Sequence, residues 1–159
     1  MTEFTHIVED RVHMVDVSGK EEMHREAIAS GTIMLRKETL LAIAEGKTLK
    51  GNVLATARVA ATLAIKDTAR IIPMCHSIPI HGIDVWFEQR ESSISTRVRV
   101  VSSGKTGVEM EALVGVSTAL LTIWDMVKSA EKDLEGQYPE TRIQDIKVEE
   151  KKKLEFHQG

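Results

Sequence analysis

The sequence predicts an α+β fold of the ferredoxin-like, split βαβ kind, an antiparallel sheet with helices packed on one face. Three observations carry that expectation. The elements read in the order strand, two helices, two antiparallel strands, long helix, strand. The two middle strands flank a short Glu91-Ser92-Ser93 turn, so they pair antiparallel. The stretch from Glu109 to about Asp133 is apolar nearly all round, as a helix seated on a sheet should be.

Each element has a local reason. Residues 1–30 read as polar and irregular, with a short apolar stretch at Met14-Val15-Asp16-Val17. Thr32 to Arg36 reads as a strand. Glu38 to Glu45 reads as a short helix stopped by Gly46, which takes the left-handed cap that glycine adopts without penalty. Asn52 is a good N-cap for a helix through Lys66, whose polar Arg58, Thr62 and Lys66 form one stripe on an otherwise buried rod. Pro73 and Pro79 remove amide donors and push their predecessors out of helical geometry, so residues 72–79 should be largely extended. Ile83–Gln89 and Ile94–Val101 read as strands; in the second, Ile94, Val98 and Val100 share one face and Ser95, Arg97 and Arg99 the other. Arg142–Val148 reads as the closing strand, and the free face of the sheet calls for cover, which points to a homo-oligomer.

At 159 residues the chain suits one domain, with residues 1–13 and 149–159 expected to be flexible ends and Lys151-Lys152-Lys153 a frayed terminus. Twenty-one Lys+Arg against 24 Asp+Glu give a net charge of -3, which excludes a bulk basic field for nucleic acid or an anionic membrane. Any phosphate site must therefore be a local cluster. The 4% aromatic content argues against a base-stacking sheet. A lone cysteine, Cys75, makes no intrachain disulfide and fits a reducing, cytoplasmic setting. No apolar run of about 18 residues and no basic-then-apolar start is read, so no membrane segment is expected.

Four places carry possible chemistry. Asp125 is the sole acid between Glu111 and Glu131 in a helix that reads as buried, where an unpaired carboxylate is costly or has a raised pKa. Lys128, three residues on, reaches it. The pair is either a structural ion pair or an acid/base couple in a cleft. Cys75-His76 with His81 lacks the spacing of a metal site, and adjacent residues on extended backbone face opposite ways, so a Cys-His dyad is disfavoured. His76 is then either a loop histidine or a lone acid/base group. Ser103-Gly104-Lys105-Thr106-Gly107 has Arg99 where a phosphate loop needs glycine, leaving an ordinary turn or an amide cradle at a helix start. Lys47 and Lys50 lead into the Asn52 cap as a second local anion candidate.

Five motifs, taken together, resemble one family. Met14-Val-Asp-Val-Ser18, Lys50-Gly-Asn-Val-Leu-Ala-Thr-Ala-Arg58, Ile72-Pro-Met-Cys-His76, Gly104-Lys-Thr-Gly-Val-Glu-Met-Glu-Ala112 and Leu121-Thr-Ile-Trp-Asp-Met-Val-Lys128 are similar, in register from about residue 5 to 135, to the cyclic pyranopterin monophosphate synthase (MoaC) family of molybdenum cofactor biosynthesis. The resemblance implies a lyase that converts 3′,8-cyclo-dihydro-GTP, supplied by a preceding radical enzyme, to cyclic pyranopterin monophosphate with loss of pyrophosphate. It implies no metal and no organic cofactor, and a homohexamer built from dimers with sites near subunit interfaces. It also implies Asp125 and Lys128 as the catalytic couple with Lys50 and His76. Met74, Cys75, His76, Met110 and Glu111 then contact substrate, with Glu109 and Arg25 in the pocket. Lys50, Lys105, Lys128, Arg25 and Arg58 are available to a triphosphate, and Lys128 among other cations is expected to have a depressed pKa. The family's glycine-rich lysine loop is replaced here by Ile146-Lys147-Val148-Glu149-Glu150-Lys151, which puts a flexible lid, and roles for Lys147 and Lys151, in doubt.

If the long helix is continuous, Glu111 and Asp125 lie on nearly one face but roughly 21 Å apart along its axis, at 1.5 Å per residue. Either Glu111 precedes the regular helix, or pockets combine residues of two chains.

Overall fold

The computed structural model describes residues 7–156; the outermost residues of both expected flexible ends lie outside that range. A two-residue ladder, β1 (Ile7–Val8) with β2 (Arg11–Val12), precedes the main body. There follow β3 (Met23–Met34), α1 (Lys37–Ala44), α2 (Val53–Lys66), the one-turn α3 (Thr68–Ile71), β4 (Gly82–Gln89), β5 (Ser93–Gly104), α4 (Glu109–Glu131) and β6 (Arg142–Leu154). The sheet order is β4-β5-β3-β6, antiparallel throughout. With the helices on one face, this is the ferredoxin-like α+β arrangement.

Local signals placed most elements well. Asn52 caps α2 by accepting from the Ala55 amide at 2.9 Å, and Gly46 ends the α1 turn at φ +66. β4 and β5 form the expected hairpin, closed where the Arg90 amide donates to the Ser93 carbonyl at 2.8 Å. Residues 72–79 depart from fully extended backbone only at the start, where the Cys75 amide donates to Ile72 in a turn around Pro73-Met74.

Two strands are longer than expected. β3 begins at Met23, inside the stretch read as irregular, because its helix-facing residues Ala27, Ala29 and Gly31 are too small to give a strand signature. They are small for a reason. A Cβ on Gly31 would lie 2.9 Å from both Leu120 and Val116, so α4 crosses β3 too closely for larger side chains. β6 continues past Val148 to Leu154, its register with β3 interrupted by two irregularities, beside one of which Asp145 takes φ +58. The run Lys151-Lys152-Lys153 is therefore ladder-paired strand, not a frayed terminus.

The helices are less buried than their sequences suggest. On α2 only the stripe Val53, Ala57, Ala61 and Ile65 is buried, while Val59 and Leu63 are each about 60% exposed. On α4, Leu121 is exposed too. The sheet face expected to need cover is charged instead. Arg99 there bridges Glu26 at 2.8 Å and Asp84 at 3.0 Å, and Arg97 bridges Glu149 at 2.8 Å. Among the described residues α4 is the one helix long and apolar enough to cross a membrane, against the expectation of no such run; half of that window is buried in the fold.

The buried acid near the end of α4 is Glu131, not Asp125. It is fully enclosed and accepts from Thr39 Oγ1 at 2.5 Å, Thr141 Oγ1 at 2.6 Å and the Arg36 amide at 3.2 Å. It thereby ties the end of α4 to the starts of α1 and β6. Glu131→Ala strips two buried hydroxyls and the part-buried Arg36 amide of their acceptor and should cost about 3 kcal/mol in denaturant unfolding, with Glu131→Gln costing less.

Candidate functional site

Near the C-terminal end of α4, Asp125 projects into solvent. Lys128 Nζ donates to its Oδ1 at 2.8 Å, and Lys50 Nζ donates to its Oδ2 at 3.0 Å and to its backbone carbonyl at 3.2 Å. Lys50 arrives from the α1–α2 turn, where Gly51 takes φ +94 just before the Asn52 cap. Leu121, Trp124 and Ile143 complete a shallow apolar groove beside Asp125 and Lys128, with Trp124 set edge-on to Tyr138 at 5.2 Å.

Both sequence-based pKa expectations for this couple reverse. The hydrogen bonds from Lys128 and then Lys50 hold the Asp125 carboxyl below the usual aspartate range, and Asp125 holds the Lys128 ammonium above its own. The reason is exposure. A surface carboxylate between two cations loses little hydration and gains their charge.

A second cleft, about 330 Å³, opens where α4 starts. It gathers Met74, Cys75 and His76 from the proline-flanked segment, Thr106 and Gly107 from the turn before α4, and Met110 and Glu111 from the helix. His76 Nε2 lies 2.6 Å from the Val15 carbonyl, which only accepts, so Nε2 carries a proton and Nδ1 is the basic nitrogen of the neutral ring. Burial, with Glu109 adding to it, pushes the Glu111 carboxyl up. Burial and the charge of Glu111 push the Cys75 thiol up, so it stays protonated and is a poor nucleophile.

Glu109 and Arg25 sit beyond this cleft, in a third one of about 610 Å³ or at its edge. Burial alone would raise Glu109, but Lys151 at 2.5 Å, its own amide and the nearby Arg25 bring its carboxyl below the usual range. Lys20, Arg25, Lys105, Lys151 and Lys153 line the third cleft, which shares Thr106 and Gly107 with the second. Lys20, Lys151 and Lys153 were absent from the sequence-derived site; only the true length of β6 brings the last two there. Arg58 is elsewhere, donating to the Val85 carbonyl and stacked over Phe87, and Lys47 bridges Glu45 instead of joining Lys50. Among the described residues no group of three His, Cys, Asp or Glu side chains is placed to hold a metal.

α4 is unbroken from Glu109 to Glu131, so Glu111 belongs to the regular helix. The Asp125 couple and the Glu111 cleft are therefore roughly 21 Å apart along one rod in any one chain.

One ferredoxin-like frame thus carries the exposed Asp125–Lys128–Lys50 cluster, the Glu111 cleft and a lysine-lined third cleft. The chain belongs to the MoaC family, whose model matches residues 14–153. It is 68% identical over 156 residues to a protein of Methanospirillum hungatei named probable cyclic pyranopterin monophosphate synthase, spanning 98% of this chain and 100% of that one. A Methanoregula boonei protein of the same name is 64% identical over 153 residues, 96% of this chain and 99% of the relative. A Methanothermobacter thermautotrophicus relative, 57% identical over 156 residues and 98% of both chains, is named probable cyclic pyranopterin monophosphate synthase accessory protein.

The raised Glu111 pKa has a testable sign. A carboxyl with a folded pKa above its unfolded value favours the native state below the unfolded pKa, and that contribution is lost as pH rises through the folded one. Wild type should therefore lose stability across that window, and Glu111→Gln should flatten the loss in thermal melts taken between pH 4 and pH 7.

Proposed function

We propose that this chain converts 3′,8-cyclo-dihydro-GTP to cyclic pyranopterin monophosphate, releasing pyrophosphate, in molybdenum cofactor biosynthesis. The observation that carries the reading is a surface carboxylate, Asp125, gripped by ammonium groups from two separate elements, at positions belonging to the family's motifs. A purely structural ion pair needs only one partner; two cations around one exposed acid leave positive charge for a phosphorylated substrate. The relatives' names support the same activity.

The chemistry follows from the protonation states. Lys128 and Lys50 keep Asp125 ionised and Asp125 keeps Lys128 protonated, so in the free protein the couple is a weaker base and a weaker acid than the isolated groups, and it acts as the acid/base couple once a bound anion draws the lysines away. In the second cleft, His76 Nδ1 is the base, and Glu111 retains its proton further up the pH scale than an exposed glutamate. Met74, Cys75 and Met110 contact the substrate there.

One chain brings only half of this set to any one place. Asp125, Lys50 and Lys128 are about half exposed, and exposed Leu121 lies alongside, so this half is open to be covered by another subunit. The pocket then joins the Asp125 couple of one chain to the Glu111 cleft of a neighbour, in a homohexamer built from dimers and working in the cytoplasm after the radical enzyme that makes its substrate.

With purified protein and 3′,8-cyclo-dihydro-GTP, pyrophosphate release and a fluorescent pterin oxidation product should both be seen. Asp125→Asn and Lys128→Met should each lower turnover by about 10²–10⁴-fold. Their melting temperatures should stay near wild type, because both groups are exposed. Absence of product from well-folded wild type would remove the activity. Mixed assemblies of Asp125→Ala and Glu111→Ala chains should regain turnover that neither parent has; no recovery in any mixture would refute the shared pocket.

A further inference from the structure

The segment Met14–Ser18 has no part in the chemistry described so far. It belongs to no helix or strand: residues 13–22 run as irregular backbone between β2 and β3. Exposed Met14, Asp16 and Ser18 alternate along it with partly buried Val15 and Val17. No ladder or helical turn fixes such a stretch, so its place is set by the bonds it makes across the fold.

Two side chains from elsewhere hold it. His76 Nε2 donates to the Val15 carbonyl at 2.6 Å, and Lys105 Nζ donates to the Ser18 carbonyl at 2.7 Å. The two acceptors are three residues apart, and a local turn sets their spacing. Asp16 Oδ1 accepts from the Ser18 amide at 2.8 Å, and the Lys20 amide donates to the Val17 carbonyl at 3.0 Å. A side-chain oxygen that closes a turn with the amide two residues on is the particular ability of Asp and Asn. Asp16 itself lies on neither the second nor the third cleft. Its carboxyl is held below the usual aspartate range chiefly by the Ser18 amide, so the group is engaged by the turn.

The Val15 carbonyl does two things to His76. It keeps the proton of the neutral ring on Nε2, and it stops the ring from rotating, so that Nδ1 stays at one place in the second cleft. A base that turns freely is aligned for only part of the time, and misalignment of that kind lowers turnover more than binding.

We infer that Asp16 is a positioning residue: by closing the Asp16–Ser18 turn it sets the Val15 carbonyl on His76 and so aims the base of the second cleft. This rests on the role of His76 proposed above and adds to it the residue that orients it. Asp16 is also a negative charge near Lys105 and His13. Turn and charge separate cleanly by substitution. Asn keeps the acceptor oxygen and drops the charge, whereas Glu keeps the charge on a chain too long for the two-residue turn.

The readout independent of activity is the Nε2-bound proton of His76, observed in proton–nitrogen correlation spectra of the full-length protein and assigned by its disappearance in His76→Gln. Wild type and Asp16→Asn should show this proton exchanging slowly with water, and Asp16→Ala and Asp16→Glu should lose it to exchange. In turnover, Asp16→Ala and Asp16→Glu should lower kcat about tenfold with KM within about twofold of wild type, and Asp16→Asn should stay within about twofold in both. Glu22→Ala, which removes an exposed carboxylate from the same stretch, is the control and should match wild type. If Asp16→Ala melts early, Asp16→Glu and Asp16→Asn decide. A wild type without the slow proton, its survival in Asp16→Glu, or equal losses in Asp16→Asn and Glu22→Ala would overturn the positioning role. If wild type makes no product but the proton follows Asp16 as described, the activity fails and the orientation of His76 by this turn stands. Full turnover in variants that have lost the proton overturns the positioning role and leaves the activity standing.

Discussion

α4 comes close enough to β3 to exclude even a methyl group at Gly31, and this contact sets the positions of everything chemical in the chain. The central strand offers Ala27, Ala29 and Gly31, and Val116 and Leu120 of the helix fill the space above them. Packing at native density leaves such a helix no freedom to slide or tilt. At its far end the buried Glu131 fastens it to the starts of α1 and β6. An unbroken helix held at its middle and at its far end sets the spacing of the two clusters: one where it begins, one on its exposed side near its end.

The electrostatics of the two ends differ for a simple reason. At the start of α4, Glu111 and Cys75 are withdrawn from water, and both resist ionisation. Near the end, Asp125 is solvated and flanked by ammonium groups, and it ionises readily. One helix thus carries a carboxyl that resists ionisation and one that ionises readily.

The strand register supplies the third ingredient. β6 pairs with β3 far enough to set Lys151 and Lys153 beside Arg25, while Lys152 goes to the charged open face. Neighbouring lysines in a run therefore do different work. The open face is crossed by the Arg97 and Arg99 ion pairs, with Arg97 also lying over the half-exposed Trp86 ring, and the helices expose Val59, Leu63 and Leu121.

The sequence by itself determined the order of the main elements, though not the β1–β2 ladder or the one-turn α3, together with the Asn52 and Gly46 helix boundaries, the β4–β5 hairpin and the pairing of Asp125 with Lys128. Each is a local signal, written in cap residues, alternation or a three-residue helical spacing. The tertiary structure alone decided the rest. The first half of β3 was hidden because its small residues are chosen to fit α4, a constraint that no neighbour in the sequence records. Exposure of Asp125, burial of Glu131 and both pKa directions depend on what lies across the helix, and apolar periodicity does not report that. The cleft lysines were illegible for the same reason: a charged run reads as a solvated end until a long-range strand pairing fixes which of its members face one another.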